Sequence, residues 1–205
     1  MNDTVRDEKR AIRRRMRESL QFLTRAECEA AGQSIAARLV AAGAFAPGVG
    51  PDPTIACFAS LWDEPDTSRI IDAACRTHTR VALPAMVPGD ELPQLRLVTQ
   101  ADVEAGMGRW HRDAMGVPVP GGEVVANREV TLVLIPGRAF DSRGTRVGRG
   151  GGHFDRFLAE LAPGCRRLGI AFDLQVVATL PREVHDLPVS AVVTPTRWIT
   201  ATALG

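Results

Sequence analysis

One short segment in the second half of the chain combines glycines with basic side chains. In order, its residues include Arg143, Arg146, Val147, Gly148, Arg149, Gly150, Gly151 and Gly152. Glycine backbones can approach a ligand closely and point N–H groups at it, and guanidinium groups form paired hydrogen bonds with phosphate oxygens. A helix predicted over about 154–161 turns its positive end to the same place. The segment therefore predicts an anion-binding loop whose natural ligand is phosphate.

Asp155, at the start of that predicted helix, adds a carboxylate to the loop. It can hold Mg²⁺ bridging phosphate oxygens, with the distant Asp186 as a second ligand and Asp141 in reserve. The alternative is that Asp155 only interacts favourably with the helix dipole.

Two familiar nucleotide signatures are absent from the loop. A P-loop would end in Gly-Lys-Ser/Thr, and the dinucleotide fingerprint would need glycine at His153. The simplest alternative is a flexible surface turn before a helix. The arginines before the glycines and the Asp155-Arg156 pair after them argue against that alternative.

Strands and helices alternate along the chain and must position this loop. Helices are predicted over 5–20, 24–43, 67–76 and 154–161, and strands over 54–59, 80–83, 94–98, 131–135, 167–172 and 190–193. This order predicts an α/β fold, a three-layer α/β/α sandwich with a largely parallel central sheet. Ligands gather at the carboxyl ends of such strands, where the glycine loop begins. The Gly/Pro-rich stretch near 106–128 is predicted to be a functional loop.

Composition excludes several classes of function. The 205 residues carry a net charge of +1, which argues against bulk electrostatic binding of nucleic acid. The apolar runs are too short to span a bilayer, and the charged amino terminus is unlike a signal peptide. The four cysteines are widely spaced, without zinc-site spacing. We expect a cytoplasmic, monomeric enzyme or binding protein that binds small molecules.

The chain resembles the 5-formyltetrahydrofolate cyclo-ligase family. Family members carry Pro-Gly, Ala-Phe-Asp and Gly-x-Arg, then Gly-x-Gly-x-Gly-Tyr-Tyr-Asp before a helix, and residues 136–158 follow that order almost throughout. Further matches in the family's order occur at 9–13, 64–67, 81–84, 169–173, Gln175, 180–181, 185–188 and 193–194. The resemblance implies one cyclo-ligase-like domain over 1–205 with a basic helix over 1–22. It also implies ATP-dependent, Mg²⁺-dependent closure of 5-formyltetrahydrofolate to 5,10-methenyltetrahydrofolate, with release of ADP and phosphate.

Two sites outside the loop gain a role from this resemblance. Lys9 and Arg13 are four residues apart and share a helical face, which by itself is more typical of a solvated basic surface. The resemblance makes them the first nucleotide contact. Glu64 is implied to accept hydrogen bonds from the pterin ring of folate, with Phe58 or Trp62 as an apolar wall. The alternative for this segment is helix capping by neighbouring residues.

The resemblance assigns the loop residues to overlapping roles. Arg149 and His153 are expected to be catalytic. The expected ATP-binding residues are Lys9, Arg13, Arg146, Val147, Gly148, Arg149, Gly150, Gly151, Gly152, His153, Phe154 and Asp155. The expected folate-binding residues are Glu64, Arg149, Gly150, Gly151, Gly152 and His153, and the expected Mg²⁺ ligands are Asp155 and Asp186.

The sequence departs from the family pattern in the same loop. His153-Phe154 stands where many members have two tyrosines, and the segment 116–120 lacks the family's glutamate. His153 can replace the lost phenol as a hydrogen-bonding group and would then make activity sensitive to pH near neutrality, or it is only a packed loop residue. A paralogue that binds folate or nucleotide without catalysis is the alternative function.

Overall fold

The computed structural model describes residues 3–46, 54–77, 79–87, 89–90, 92–113, 116–184 and 186–202, with His153 described by its backbone alone. The α-helices are α1 (Asp3–Leu20), α2 (Arg25–Ala41), α3 (Ser68–Arg76), α4 (Gln100–Ala105) and α5 (His153–Ala159). Within these residues, no helix has both the length and the apolar character needed to cross a membrane.

An eight-stranded, mostly parallel sheet forms the centre of the molecule. Its strands are β1 (Thr54–Ala56), β2 (Arg80–Ala85), β3 (Gln94–Leu97), β6 (Val124–Val125), β7 (Val130–Pro136), β10 (Arg166–Ile170), β12 (Ala191–Val193) and β13 (Trp198–Thr200). In space they run β13-β12-β10-β7-β1-β2-β3-β6. The five strands from β12 to β2 are parallel, and β13, β3 and β6 pair antiparallel at the two edges. The predicted α/β fold with a largely parallel sheet is confirmed.

Helices cover both faces of this sheet. On one face, Ile35 and Leu39 of α2 and Ile70 of α3 pack against β-strand side chains such as Leu134. The opposite face carries a separate core built from α5 and the alternate strand residues. Successive strand residues point to opposite faces, so one run such as Val133 to Ile135 serves both cores. Because both faces of the sheet are apolar, helices pack on each of them and produce the three layers: helix, sheet and helix.

A second, small sheet positions the glycine loop. It consists of β8 (Ala139–Asp141), β9 (Arg146–Val147) and β11 (Val176–Val177), in the order β11-β8-β9. Helix α1 packs on this sheet rather than on the central one, through Met16 and Leu20 against Ala139 and Val147. The basic helix thereby lies beside the loop that follows β9.

The predicted elements are present, with shorter ends at several strands. The strand expected over 54–59 stops at Ala56, for example. The stretch near 106–128 is less irregular than predicted. It contains short 3-10 helices, Met107–Arg109 and Asn127–Glu129, the hairpin of β4 (His111–Arg112) and β5 (Pro118–Val119), and edge strand β6. Strands of two residues are too short to show a periodic pattern of apolar residues, so the sequence did not predict them.

Candidate active site

The glycine loop runs from the end of β9 to the start of α5. Gly150 has a φ of 109° and Gly152, the residue before α5, has a φ of 68°. Residues with a Cβ atom are strained at a positive φ, so both positions favour glycine. The backbone of Gly150 also lies against α1, since a Cβ there would be 3.5 Å from Arg13 Nε.

A cavity of about 730 Å³ lies between α1 and this loop, and we call it the basic cavity. Its lining residues are Asp3, Arg6, Asp7, Lys9, Arg10, Arg13, Arg146, Val147, Gly148, Gly150, Gly152, Asp155, Glu183 and Asp186. The structure therefore brings together most of the residues that the sequence assigns to ATP and metal. Gly151 and Arg149 are not among its lining residues; both line a different cavity.

Protein groups occupy the hydrogen-bonding positions of the main cations in this cavity. Lys9 Nζ lies 2.9 Å from Glu183 Oε2 and 2.6 Å from Asp186 Oδ2, and its residue is 6% exposed. Arg13 Nε donates to the Gly148 carbonyl at 2.8 Å. Burial lowers the pKa of Arg13, an effect that Asp155 and Asp186 oppose through their charges.

Arg146 and Asp155 form an ion pair across the loop. The Arg146 side chain is almost entirely buried, and its Nε has no hydrogen-bond partner among the residues that the structure describes. A buried guanidinium nitrogen without a partner is costly, so this group retains capacity for a ligand oxygen.

A smaller cavity of about 210 Å³ lies on the other side of the loop, and we call it the apolar cavity. Its walls include Phe58, Met86, Phe154 and Phe157, and Glu64 supplies a carboxylate. Glu64 is 6% exposed, and its Oε2 accepts a hydrogen bond from Leu61 N at 2.9 Å. Such a cavity suits an aromatic ring with hydrogen-bond donors at one edge.

The two cavities share part of their lining. The shared residues are Arg146, Gly148, Gly150, Gly152 and Asp155. Three of these are glycines, so backbone rather than side chains forms much of the common wall. A ligand in one cavity can therefore come close to a ligand in the other.

Arg149 lies on the apolar side and pairs with carboxylates rather than pointing into the basic cavity. It donates to Glu64 Oε1 from Nη2 at 2.8 Å and from Nε at 3.1 Å, and it also pairs with the fully buried Asp63. Arg138 is the second partner of Asp63. Burial opposes ionisation of Asp63, but hydrogen bonds from the two arginines hold its pKa below the usual value.

The remaining predicted residues divide into clear groups. Of the two proposed apolar walls, Phe58 lines the apolar cavity, whereas Trp62 is 64% exposed and lines a neighbouring cleft. Asp141 is fully buried and accepts backbone hydrogen bonds from Arg143, Thr145 and Leu180, which gives it a structural role. The side chain of His153 and all of His185 lie outside the described residues.

Asp155 and Asp186 line the same cavity, as the predicted metal site requires. Among the described residues, no three His, Cys, Asp or Glu side chains lie close enough to enclose a metal by themselves. Mg²⁺ is commonly bound by one or two carboxylates together with substrate phosphates and water. The two aspartates fit this kind of site, and they do not fit a cage built from protein alone.

Asp63 and Arg138 are functional-site neighbours that the sequence reasoning missed. They are 75 residues apart, so no local spacing indicates their contact. The only available signal was an acidic residue next to Glu64.

Fold and site together define a class: an α/β protein with a glycine-rich loop between the basic cavity and the apolar cavity. The model of the 5-formyltetrahydrofolate cyclo-ligase family matches residues 5–195. The 5-formyltetrahydrofolate cyclo-ligase of Escherichia coli (strain K12) is 31% identical over 185 residues, covering 89% of this chain and 97% of the E. coli protein. The chain belongs to the 5-formyltetrahydrofolate cyclo-ligase family.

More distant relatives agree with this assignment. The Mus musculus 5-formyltetrahydrofolate cyclo-ligase is 23% identical over 197 residues, covering 92% of this chain and 94% of the mouse protein. The solved structure of Aquifex aeolicus 5,10-methenyltetrahydrofolate synthetase matches with a TM-score of 0.72 at 22% identity, covering 96% of each chain. This structural likeness confirms the fold.

Proposed function

We propose that this protein is an ATP-dependent enzyme that converts 5-formyltetrahydrofolate to 5,10-methenyltetrahydrofolate, releasing ADP and phosphate. The observation that carries the proposal is the pair of cavities with one common wall at the glycine loop. The basic cavity has five lysine and arginine side chains in its lining, which can bind the polyphosphate of ATP, and an apolar cavity with a buried carboxylate suits a pterin ring. The 31% identity to the E. coli cyclo-ligase supports the same reaction.

In the proposed reaction the formyl oxygen of the folate attacks the γ-phosphate of ATP, and ADP leaves. N10 of the folate then adds to the activated carbon, and the phosphate departs as hydrogen phosphate, carrying the formyl oxygen and the proton lost from N10 as the ring closes. The protein supplies orientation and charge neutralisation rather than a nucleophile. Glu64 and the apolar walls hold the pterin, while Lys9, Arg13, Arg146 and the loop N–H groups hold the phosphates.

Asp155 and Asp186 are proposed to hold Mg²⁺ together with the ATP phosphates. The metal would supply positive charge that neutralises the polyphosphate. Because Asp155 pairs with Arg146 and Asp186 with Lys9 in the structure, nucleotide binding is expected to rearrange both ion pairs. The cations released from the aspartates are then available to phosphate oxygens.

The direct test is the ultraviolet absorbance of the methenyl product after mixing the protein, ATP, Mg²⁺ and 5-formyltetrahydrofolate. Product should form only when all components are present, and chelation of divalent metal should abolish turnover. Tight binding of folate and ATP without product would contradict the proposal and support a non-catalytic binding protein. Full activity after complete chelation would contradict the metal assignment alone.

A further inference from the structure

Two carboxylates and two arginines beside the apolar cavity form one connected ionic network. Asp63 Oδ2 accepts a hydrogen bond from Arg138, and Asp63 Oδ1 accepts one from Arg149. Arg149 then reaches Glu64 Oε1. Glu64 and Arg149 line the apolar cavity, whereas Asp63 and Arg138 are not among its lining residues. Asp63 therefore reaches the cavity through Arg149.

We propose that Asp63, balanced in charge by Arg138, is a positioning residue that holds Arg149 against Glu64 and so sets the affinity for the folate. This inference rests on the proposed function, because it takes the folate as the ligand of the apolar cavity. Asp63 itself does not touch the substrate.

The burial of the network explains why each member is needed. The Asp63 side chain is inaccessible and the Arg138 side chain is 8% exposed. Without Asp63, Arg138 would lose the carboxylate that balances its buried charge, and without Arg138, Asp63 would keep only Arg149 as a cationic partner, so the loss of either is costly. The Arg149 side chain is 37% exposed and is long and flexible. Its two hydrogen bonds to Glu64 both end on one oxygen, Oε1, and a further acceptor on Asp63 fixes the planar guanidinium in one orientation.

Fixing Arg149 also fixes Glu64. An ionised carboxylate offers about four acceptor positions. Hydrogen bonds from Leu61 N, Arg149 Nε and Arg149 Nη2 already use three of them. The acceptor position that remains on Glu64 has one fixed direction. A ring with hydrogen-bond donors can therefore bind to it in one orientation. Releasing Arg149 would free Glu64 to rotate and would weaken this selection.

The charge-balanced variant D63N/R138M removes the buried anion and its buried cation together. We expect the KM for 5-formyltetrahydrofolate to rise about tenfold or more, with the KM for ATP within about twofold of wild type, as the loss of a charge-assisted contact implies. The matched control is E129Q, which alters the partly buried Arg80–Glu129 ion pair at the amino ends of β2 and β7. Its two KM values should match wild type.

The same variant in an R149M background separates positioning from structural damage. If Asp63 acts through Arg149, D63N/R138M should not raise the folate KM further once Arg149 is gone. An unchanged folate KM in D63N/R138M, an equal rise in both KM values, or a rise that persists in the R149M background would each overturn the proposal.

A second variant covers the case in which D63N/R138M does not fold. R149K keeps the charge but cannot bridge two carboxylates with a planar fork, so it should raise the folate KM selectively. A normal folate KM in R149K would overturn the proposal. Lack of product from the wild-type protein would instead contradict the proposed function itself.

Discussion

Lys9, Arg13 and Arg146 each hold a protein partner in the basic cavity. A nucleotide must replace some of these contacts, so its binding free energy is the difference between new and old hydrogen bonds. The carboxylates and the carbonyl that hold these cations also keep the side chains in place. Lys9 and Arg146 must therefore exchange carboxylate contacts for phosphate contacts when the nucleotide binds.

At the residue level, the two cavities should respond separately to substitution. Lys9→Ala removes the ammonium group that contacts Glu183 and Asp186 and that is proposed to bind phosphate, and it should raise the KM for ATP by roughly 10- to 150-fold. Glu64→Gln should raise the KM for 5-formyltetrahydrofolate by a similar factor, since the amide loses the ion pair with Arg149. Steady-state kinetics with each substrate varied in turn measures both effects. A Glu64→Gln protein that is impaired only towards ATP would show the assignment to be wrong.

At the level of elements, the glycine loop and α1 form one unit. The loop bends back beside Arg13 because Gly150 adopts a positive φ. The short helix α5 follows directly and contributes Phe157 and Leu158 to the core of one sheet face. The loop is thus anchored at both ends, by β9 in the small sheet and by α5 on the large one.

Gly150→Ala should impair nucleotide use more than stability. A side chain at a φ of 109° is strained by about 1–3 kcal/mol, and the loop is expected to relieve that strain by moving away from Arg13. We expect a raised KM for ATP and slower turnover, measured by the methenyl absorbance. Gly164→Ala is the matched control, because Gly164 has open space around it and no positive φ. Equal activity of the two variants would contradict this role of the loop.

Helix α2 touches the segment that carries Glu64. A Cβ on Gly32 would lie 2.0 Å from the Asp66 carbonyl oxygen, so the helix and this segment pack backbone to backbone. Gly32→Ala should force them apart, costing about 1–3 kcal/mol in the free energy of unfolding measured in urea. We also expect a raised folate KM with little change for ATP. Wild-type stability in Gly32→Ala would show that this contact is not tight in solution.

Short apolar runs and helical spacing of apolar residues were sufficient to predict six of the eight strands of the large sheet and its main helices; the edge strands β6 and β13 were not predicted. Strand β7 is such an apolar run, and the Thr24–Glu27 capping box identified the start of α2. The small sheet was not predictable because its strands have two or three residues. The pairing of Asp63 with Arg138 was also not predictable, since it depends on how distant loops meet at the sheet's edge.

At the scale of the whole molecule, the two-sided core buries most of the cysteines. Burial raises the pKa of Cys57 to about 12 and that of Cys75 and Cys165 to about 11. In the unfolded chain these thiols have an ordinary cysteine pKa of about 8.5. The folded state accommodates only their neutral form easily, so ionisation of the thiols favours unfolding. The stabilisation by the neutral thiols is complete below about pH 8.5 and is lost as the pH rises towards 12.

The free energy of unfolding should therefore fall above about pH 8.5, by up to about 1.4 kcal/mol per pH unit for each such thiol. The chain has no tyrosine and Lys9 is its only lysine, so few other side chains titrate in this range. Urea unfolding under reducing conditions between pH 7.5 and 10.5 measures the slope. Cys57→Ala should make the slope shallower, and an identical slope in that variant would contradict burial as its cause.

The burial of Lys9 gives the molecule an internal chemical reporter. Acylating reagents attack neutral amines, and the only side-chain amine of the chain is held between Glu183 and Asp186. Its acylation requires α1 to separate from Glu183 and Asp186, a local unfolding event distinct from global unfolding. The rate at which this one lysine is labelled therefore measures how often the amino-terminal helix detaches, and a bound nucleotide should slow it.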